Sequence, residues 1–119
     1  MAEECTIEVD GDYSSAPVVS LTGAVDIAVA PVLRRTLIDL TQHAPQAVIV
    51  DCSGVTFLDS SGLGVLIGVM KRLKHHDGQL IVVADHAPVL RLFEMTGLDR
   101  AFTVVASRAE AARLLATAG

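Results

Sequence analysis

Aromatic side chains are scarce in this chain. There is no Trp, one Tyr and three Phe, 3% of 119 residues, while hydrophobic residues make up 51%. The core must therefore be aliphatic, built from Val, Leu, Ile and Ala. Basic charge is scarce as well: nine Lys and Arg stand against fourteen Asp and Glu, a formal net charge of −5. Outside the short Lys71–Lys74 cluster there is no basic stripe. A nucleic-acid surface meets phosphates with clustered Lys and Arg, so this balance argues against such a partner. Cysteines number two, Cys5 and Cys52. With few well-spaced His, no metal or cofactor site is indicated, and Cys52, just past a buried-strand pattern, reads as a small core residue. Long apolar runs are also lacking. The longest uncharged one, Ser60 to Met70, falls short of the about 20 residues that span a bilayer. The acidic start MAEECTIEVD has no apolar signal segment. The expectation is a cytoplasmic protein without a membrane partner, forming one domain over residues 1–119.

What the chain does have is a regular alternation of elements. Cys5–Val9 alternates apolar and polar residues and predicts an edge strand, ending at the turn Asp10-Gly11-Asp12. Ala16–Leu21 predicts a second strand, broken at Gly23, and the pair can form a hairpin. Pro31 marks a first helical position, and Val32, Leu33, Leu37 and Leu40 give an amphipathic helix to about His43, with Arg34, Arg35 and Asp39 toward solvent. Ala47–Val50 is a continuous aliphatic run, the mark of a strand covered on both faces. From Gly62 to Lys74, Leu63, Leu66, Ile67 and Met70 recur at helical spacing, and Val65 and Val69 widen the stripe. Lys71, Arg72 and Lys74 then face the negative end of the helix dipole. Leu80–Ala84 is a second covered strand. Pro88 opens a helix with Val89, Leu92, Phe93 and Met95 inward and Gly97 as its stop. Phe102–Val105 is a last short strand, and Ser107 and Glu110 form a capping box for a final helix to about Ala116.

The order β, β, α, β, α, β, α, β, α implies an α/β fold: a small mixed, mostly parallel sheet of about five strands, flanked by about four helices. In such sheets functional groups gather beyond the carboxyl ends of the strands. Asp26, the Thr56–Ser61 loop and the Asp85–Ala87 loop fall at that end.

The chemistry concentrates in residues 51–70, DCSGVTFLDSSGLGVLIGVM. A serine hydrolase wants G-x-S-x-G, and Ser60 and Ser61 have Leu58 and Asp59 where the leading glycine belongs. None of His43, His75, His76 and His86 has a clear orienting acid. Gly62, Gly64 and Gly68 give G-x-G-x-x-x-G, a poor match to a dinucleotide fingerprint, and no phosphate-binding loop with its Lys-Ser/Thr ending is present. Asp51 reads as a loop hydrogen-bonder. The chain is expected to catalyse nothing. Asp59 or Ser60 can serve as the helix N-cap, and three glycines in one helix imply close backbone approach to the sheet or to a partner. A phosphate would also be well placed here, where a helix start offers free N–H groups and a positive dipole end. From the residues alone, capping and a phosphorylation switch both stay open.

The run FLDSSGLGVLIGVMKRLK resembles the signature of STAS domains, specifically the stand-alone bacterial anti-sigma factor antagonists. Leu21-Thr22-Gly23-Ala24-Val25-Asp26 is similar to that family's L-x-G-x-hydrophobic-D segment, and Leu92–Leu98 (LFEMTGL) to its late helix ending in Ser/Thr-Gly-Leu. The resemblance implies partner switching of the kind that controls stress responses or sporulation. The unphosphorylated protein binds an anti-sigma factor that is also a serine kinase, and so frees the sigma factor. Phosphorylation of the first serine of D-S-S-G, here Ser60, breaks the complex, and a PP2C-type phosphatase resets it. The implied partner surface comprises Asp26, Asp59, Ser60, Ser61, Gly62, Leu63 and Gly64. Family members often carry Glu where this chain has Ala24. An alternative within the same fold is a scaffold or sensor module that binds a nucleotide or other small ligand without a phosphorylation switch.

Overall fold

A computed structural model describes residues 4–10 and 16–118. Five strands and four helices follow the expected order: β1 (Thr6–Asp10), β2 (Val18–Val25), α1 (Ala30–Thr41), β3 (Ala47–Leu58), α2 (Ser60–Lys74), β4 (Gln79–Val83), α3 (Ala87–Thr96), β5 (Thr103–Val105) and α4 (Arg108–Ala118). They form one sheet in the order β1-β2-β3-β4-β5, with β1 antiparallel to β2 and every other pairing parallel. β1 and β2 are thus the antiparallel neighbours the sequence allowed. Most of the turn placed at Asp10-Gly11-Asp12 lies outside the described residues.

Because β2 to β5 lie side by side in chain order, each right-handed crossover sets its helix on the same face. Burial follows that logic. Leu33 and Leu37 of α1, Leu63, Leu66 and Leu73 of α2, and Val89 and Phe93 of α3 close one aliphatic core over Val19, Val48, Val50 and Val82. The opposite face carries a smaller cluster in which Ala111, with Leu115 packed against it, meets Val18, Ala47, Ile49, Ile81 and Val83. Ala47 through Val50 are buried, as a doubly covered strand should be. The few aromatics are used once inside, where Phe93 and Phe102 meet edge to face at 5.5 Å. Burial pushes the Cys52 thiol up to about 12, so it is a core residue and not a reactive one.

Several expectations are corrected. β2 does not break at Gly23 but runs through it. Gly23 has φ +87, where glycine is favoured, and a Cβ there would collide with the Glu4 carbonyl. β3 extends to Leu58, so Thr56 and Phe57 belong to a strand and not to a loop. Its register against β2 shifts twice, once between Ser20 and Thr22 and again between Gly23 and Ala24. Such irregularities break the two-residue alternation from which a strand is read. Val32 and Met95 face solvent, 56% and 78% exposed. Met95 stands two positions, about 200°, around the helix from the buried Phe93. Gly97 does close α3 with φ +76, and a short turn, Leu98–Arg100, tucks Leu98 inward. At α4, Ser107 accepts the Glu110 N–H at 3.2 Å, while the Glu110 carboxylate reaches the Ala106 N–H at 3.1 Å, one residue earlier than a capping box requires.

Asp51 is the largest correction. It is buried within β3 and ion-paired, its carboxylate 2.5 Å from Arg108 Nε and also accepting the Ser53 N–H at 2.9 Å and hydroxyl at 2.7 Å. The same guanidinium reaches Asp10 at 2.8 Å and donates to the Ser20 hydroxyl, which itself donates to Asp10 at 2.8 Å. Arg108, at the start of α4, therefore clasps β1, β2 and β3. Burial alone would raise the Asp51 carboxyl, but the Ser53 and Arg108 hydrogen bonds outweigh it and hold it below the usual carboxylate value. Hydrogen bonds from Ser20 and Arg108 lower Asp10 as well. Carboxylates depressed in the folded state lend stability above their unfolded pKa, about 3.9, and that stability is lost as pH falls through the folded value. Arg108→Ala leaves Asp51 buried with Ser53 as its remaining donor. It is expected to lower stability at neutral pH by about 1–3 kcal/mol and to flatten the loss seen below about pH 4. Urea melts across pH read both effects, and a variant as stable as wild type at neutral pH would show that the clasp contributes nothing.

Candidate functional site

Val25 and Leu58 lie opposite one another at the ends of β2 and β3, both buried. The next residue on each strand is an aspartate. Asp26 Oδ1 accepts the Ala28 N–H at 3.0 Å and the Val29 N–H at 3.3 Å, and its carbonyl accepts those of Val29 and Ala30. It organises the turn into α1. Asp59 does the same for α2: its Oδ1 accepts the Ser61 N–H at 2.9 Å and the Gly62 N–H at 3.2 Å, while its own N–H donates to the Val25 carbonyl at 3.2 Å. Two helices therefore start side by side, each headed by a carboxylate.

This decides between Asp59 and Ser60 as the cap. Asp59 has the extended backbone of an N-cap, φ −102 and ψ −175. Ser60 is the first helical residue, and its side chain is exposed. The Ser61 and Gly62 N–H groups expected to be free for a phosphate are already engaged by Asp59.

The seven expected site residues divide by burial. Asp26 and Asp59 are partly exposed, Ser60 and Gly64 are open, Ser61 is half-buried, and Gly62 and Leu63 are buried. A Cβ at Gly62 would lie 2.5 Å from Leu58 Cδ1 and 2.9 Å from Val25 Cγ1, so this glycine lets α2 settle on the strand ends. Leu63 anchors the first turn from below. Gly64 and Gly68 are different: a Cβ at either meets nothing within 4 Å. They face an open groove of about 870 Å³ between α1 and α2, which Ser60 and Ser61 also line. Among the described residues, no three His, Cys, Asp or Glu gather as metal ligands would, and no helix is long and apolar enough to cross a membrane.

The sequence profile of the STAS domain matches residues 7–111. The chain belongs to the STAS family. An anti-sigma-B factor antagonist of Staphylococcus epidermidis is 32% identical to it over 80 residues, covering 67% of this chain and 74% of that protein. The antagonist of the same name in Staphylococcus aureus aligns with equal identity and coverage. Among solved structures, an anti-sigma factor antagonist from Mycobacterium paratuberculosis superposes with a TM-score of 0.84 at 31% identity over 93% of both chains. The unphosphorylated anti-sigma factor antagonist SpoIIAA superposes at 0.81 over 93% of this chain and 97% of its own, with 20% identity, a likeness of fold.

Sequence reasoning missed two apolar side chains at this end of the STAS sheet. Ile27, just past Asp26, is 75% exposed, and Phe57, two residues before Asp59, is 53% exposed. No local pattern marked Phe57: the second register shift, where β2 steps from Gly23 to Ala24 while β3 passes from Val55 to Phe57, decides which way it faces.

If Asp59 alone caps α2, Asp59→Ala is expected to lower stability by about 1 kcal/mol, and Ser60→Ala by less than about 0.5 kcal/mol. Denaturant melts of the two variants check this. The reverse order would return the cap to Ser60.

Proposed function

We propose that this STAS domain is an anti-sigma factor antagonist switched by phosphorylation of Ser60. The supporting observation is the division of labour at the start of α2: Asp59 makes the cap, leaving Ser60 exposed beside it and without a structural duty. In this reading the unphosphorylated protein presents Asp26, Asp59, Ser60, Ser61 and Gly64 to a serine kinase that is also an anti-sigma factor. Gly62 and Leu63 fix that surface from beneath. Ile27 and Phe57 supply apolar contact at its edge, the kind of anchor on which interfaces concentrate their energy. The chain is the substrate of the kinase and no catalyst itself, and a PP2C-type phosphatase restores the binding form.

Phosphorylation adds about −1.5 to −2 charge at neutral pH. With the first N–H groups held by Asp59, the phosphate stays at the surface, next to the Asp59 carboxylate and near that of Asp26. The fold has no reason to change. The contact does, because an interface shaped for a neutral hydroxyl must now desolvate an unpaired charge, which costs several kcal/mol.

Incubation with a kinase-type anti-sigma factor and ATP is expected to add one phosphate, which peptide mass mapping places on Ser60. Ser60→Asp is expected to bind the kinase at least about tenfold more weakly with an unchanged melting temperature, whereas Ser60→Ala still binds and is not released by ATP. Phosphate found on Ser61, or a Ser60→Asp variant that binds like wild type, would sink the switch. Loss of binding through unfolding would make Ser60 a structural residue.

A further inference from the structure

The groove between α1 and α2 has a low floor and a charged rim. Gly64 and Gly68 open the floor, with Val65 and Val69 beside them, and Arg34, Arg35 and Arg72 stand along the rim. All three arginines are exposed, and none forms an ion pair among the described residues; Arg72 makes one long hydrogen bond, 3.5 Å, to the Thr41 hydroxyl. Asp39 is the one carboxylate in the lining. Three cations to one anion is a local reversal in a chain of net charge −5. The groove is also long. Ser60 and Arg72 are twelve positions apart on α2, about 18 Å of helix. No aromatic side chain lines it, so a nucleotide base would find no ring to stack on.

We propose that this groove is a docking site for an acidic amphipathic helix of the anti-sigma factor, with its apolar side on the glycine floor and its carboxylates on the arginine rim. The proposal rests on the antagonist reading above and adds a second contact to the one at Ser60. Two glycines on an exposed helix face each weaken α2 relative to alanine, and with no neighbour requiring a missing Cβ, the room they leave accommodates a partner. Ser60 stands at the head of the groove, so a phosphate there also repels the carboxylates of a segment lying in it.

The test is titration of the kinase that phosphorylates the wild-type chain, at low and high salt, into wild type, Gly68→Leu and the double variant Arg34→Glu/Arg35→Glu. Gly68→Leu fills the groove with a better helix former, so it should melt no lower than wild type and bind at least about tenfold more weakly. The double variant should bind at least about tenfold more weakly and lose most of the salt dependence. If both bind like wild type while Ser60→Asp is weakened, the groove is no docking site and the switch stands. If no kinase-type anti-sigma factor binds or phosphorylates wild type, the antagonist reading itself fails and the docking proposal with it. Saturable ATP or GTP binding to the chain alone, abolished in the double variant, would make the occupant a nucleotide and overturn the proposal.

Discussion

Val25 and Leu58 face each other across β2 and β3, and the starts of α1 and α2 are both set by that pair. Their parallel alignment sets Asp26 and Asp59 one step beyond the sheet, and each aspartate then begins a helix. Were the register shifted by one residue, the two helix starts would no longer lie level, and buried side chains would turn to the opposite face. Gly62 serves the same alignment, since its missing Cβ lets α2 rest directly on Leu58 and Val25. The exposed serine is a by-product of that fit. The carboxylate satisfies the helix, so the neighbouring hydroxyl is released from structural work.

The element order and the sheet were legible because they rest on patterns many residues long. The covered strands show as aliphatic runs, and the helices keep their period even where single members such as Met95 turn outward. The DSSG cluster was legible as a helix start, but its internal assignment was not: Asp59 and Ser60 are both good caps, and only backbone geometry separates them. The end of β3 was hidden by register shifts and by exposed Ser53 and Thr56, which read as loop. Gly64 and Gly68 look in sequence like Gly62, yet only Gly62 answers to the sheet. Which way a helical glycine faces depends on neighbours the local pattern does not contain. The pairing of Asp51 with Arg108 joins residues 57 apart, beyond the reach of any local motif.

The two faces of the sheet are held by different physics. On the side of α1, α2 and α3 the packing is aliphatic, without direction and tolerant of salt and pH. On the α4 side the apolar cluster is small, and a half-exposed guanidinium among two carboxylates and a serine hydroxyl adds a polar attachment. Burial of apolar area contributes roughly 25 cal/mol per Å², so the larger core dominates overall stability while the clasp fixes where one helix sits.

That clasp also ties together parts of the chain that would otherwise loosen independently. Asp10 ends the edge strand β1 and Arg108 begins the last helix, 98 residues later. Edge strands and terminal helices are ordinarily the first segments to open, each with its own small free energy. Here they share one side chain, so lifting α4 takes the guanidinium from Asp10 at the end of β1 and strands the Asp51 charge in the sheet. The opening of β1 and that of α4 are therefore expected to be coupled, neither having wholly its own free energy.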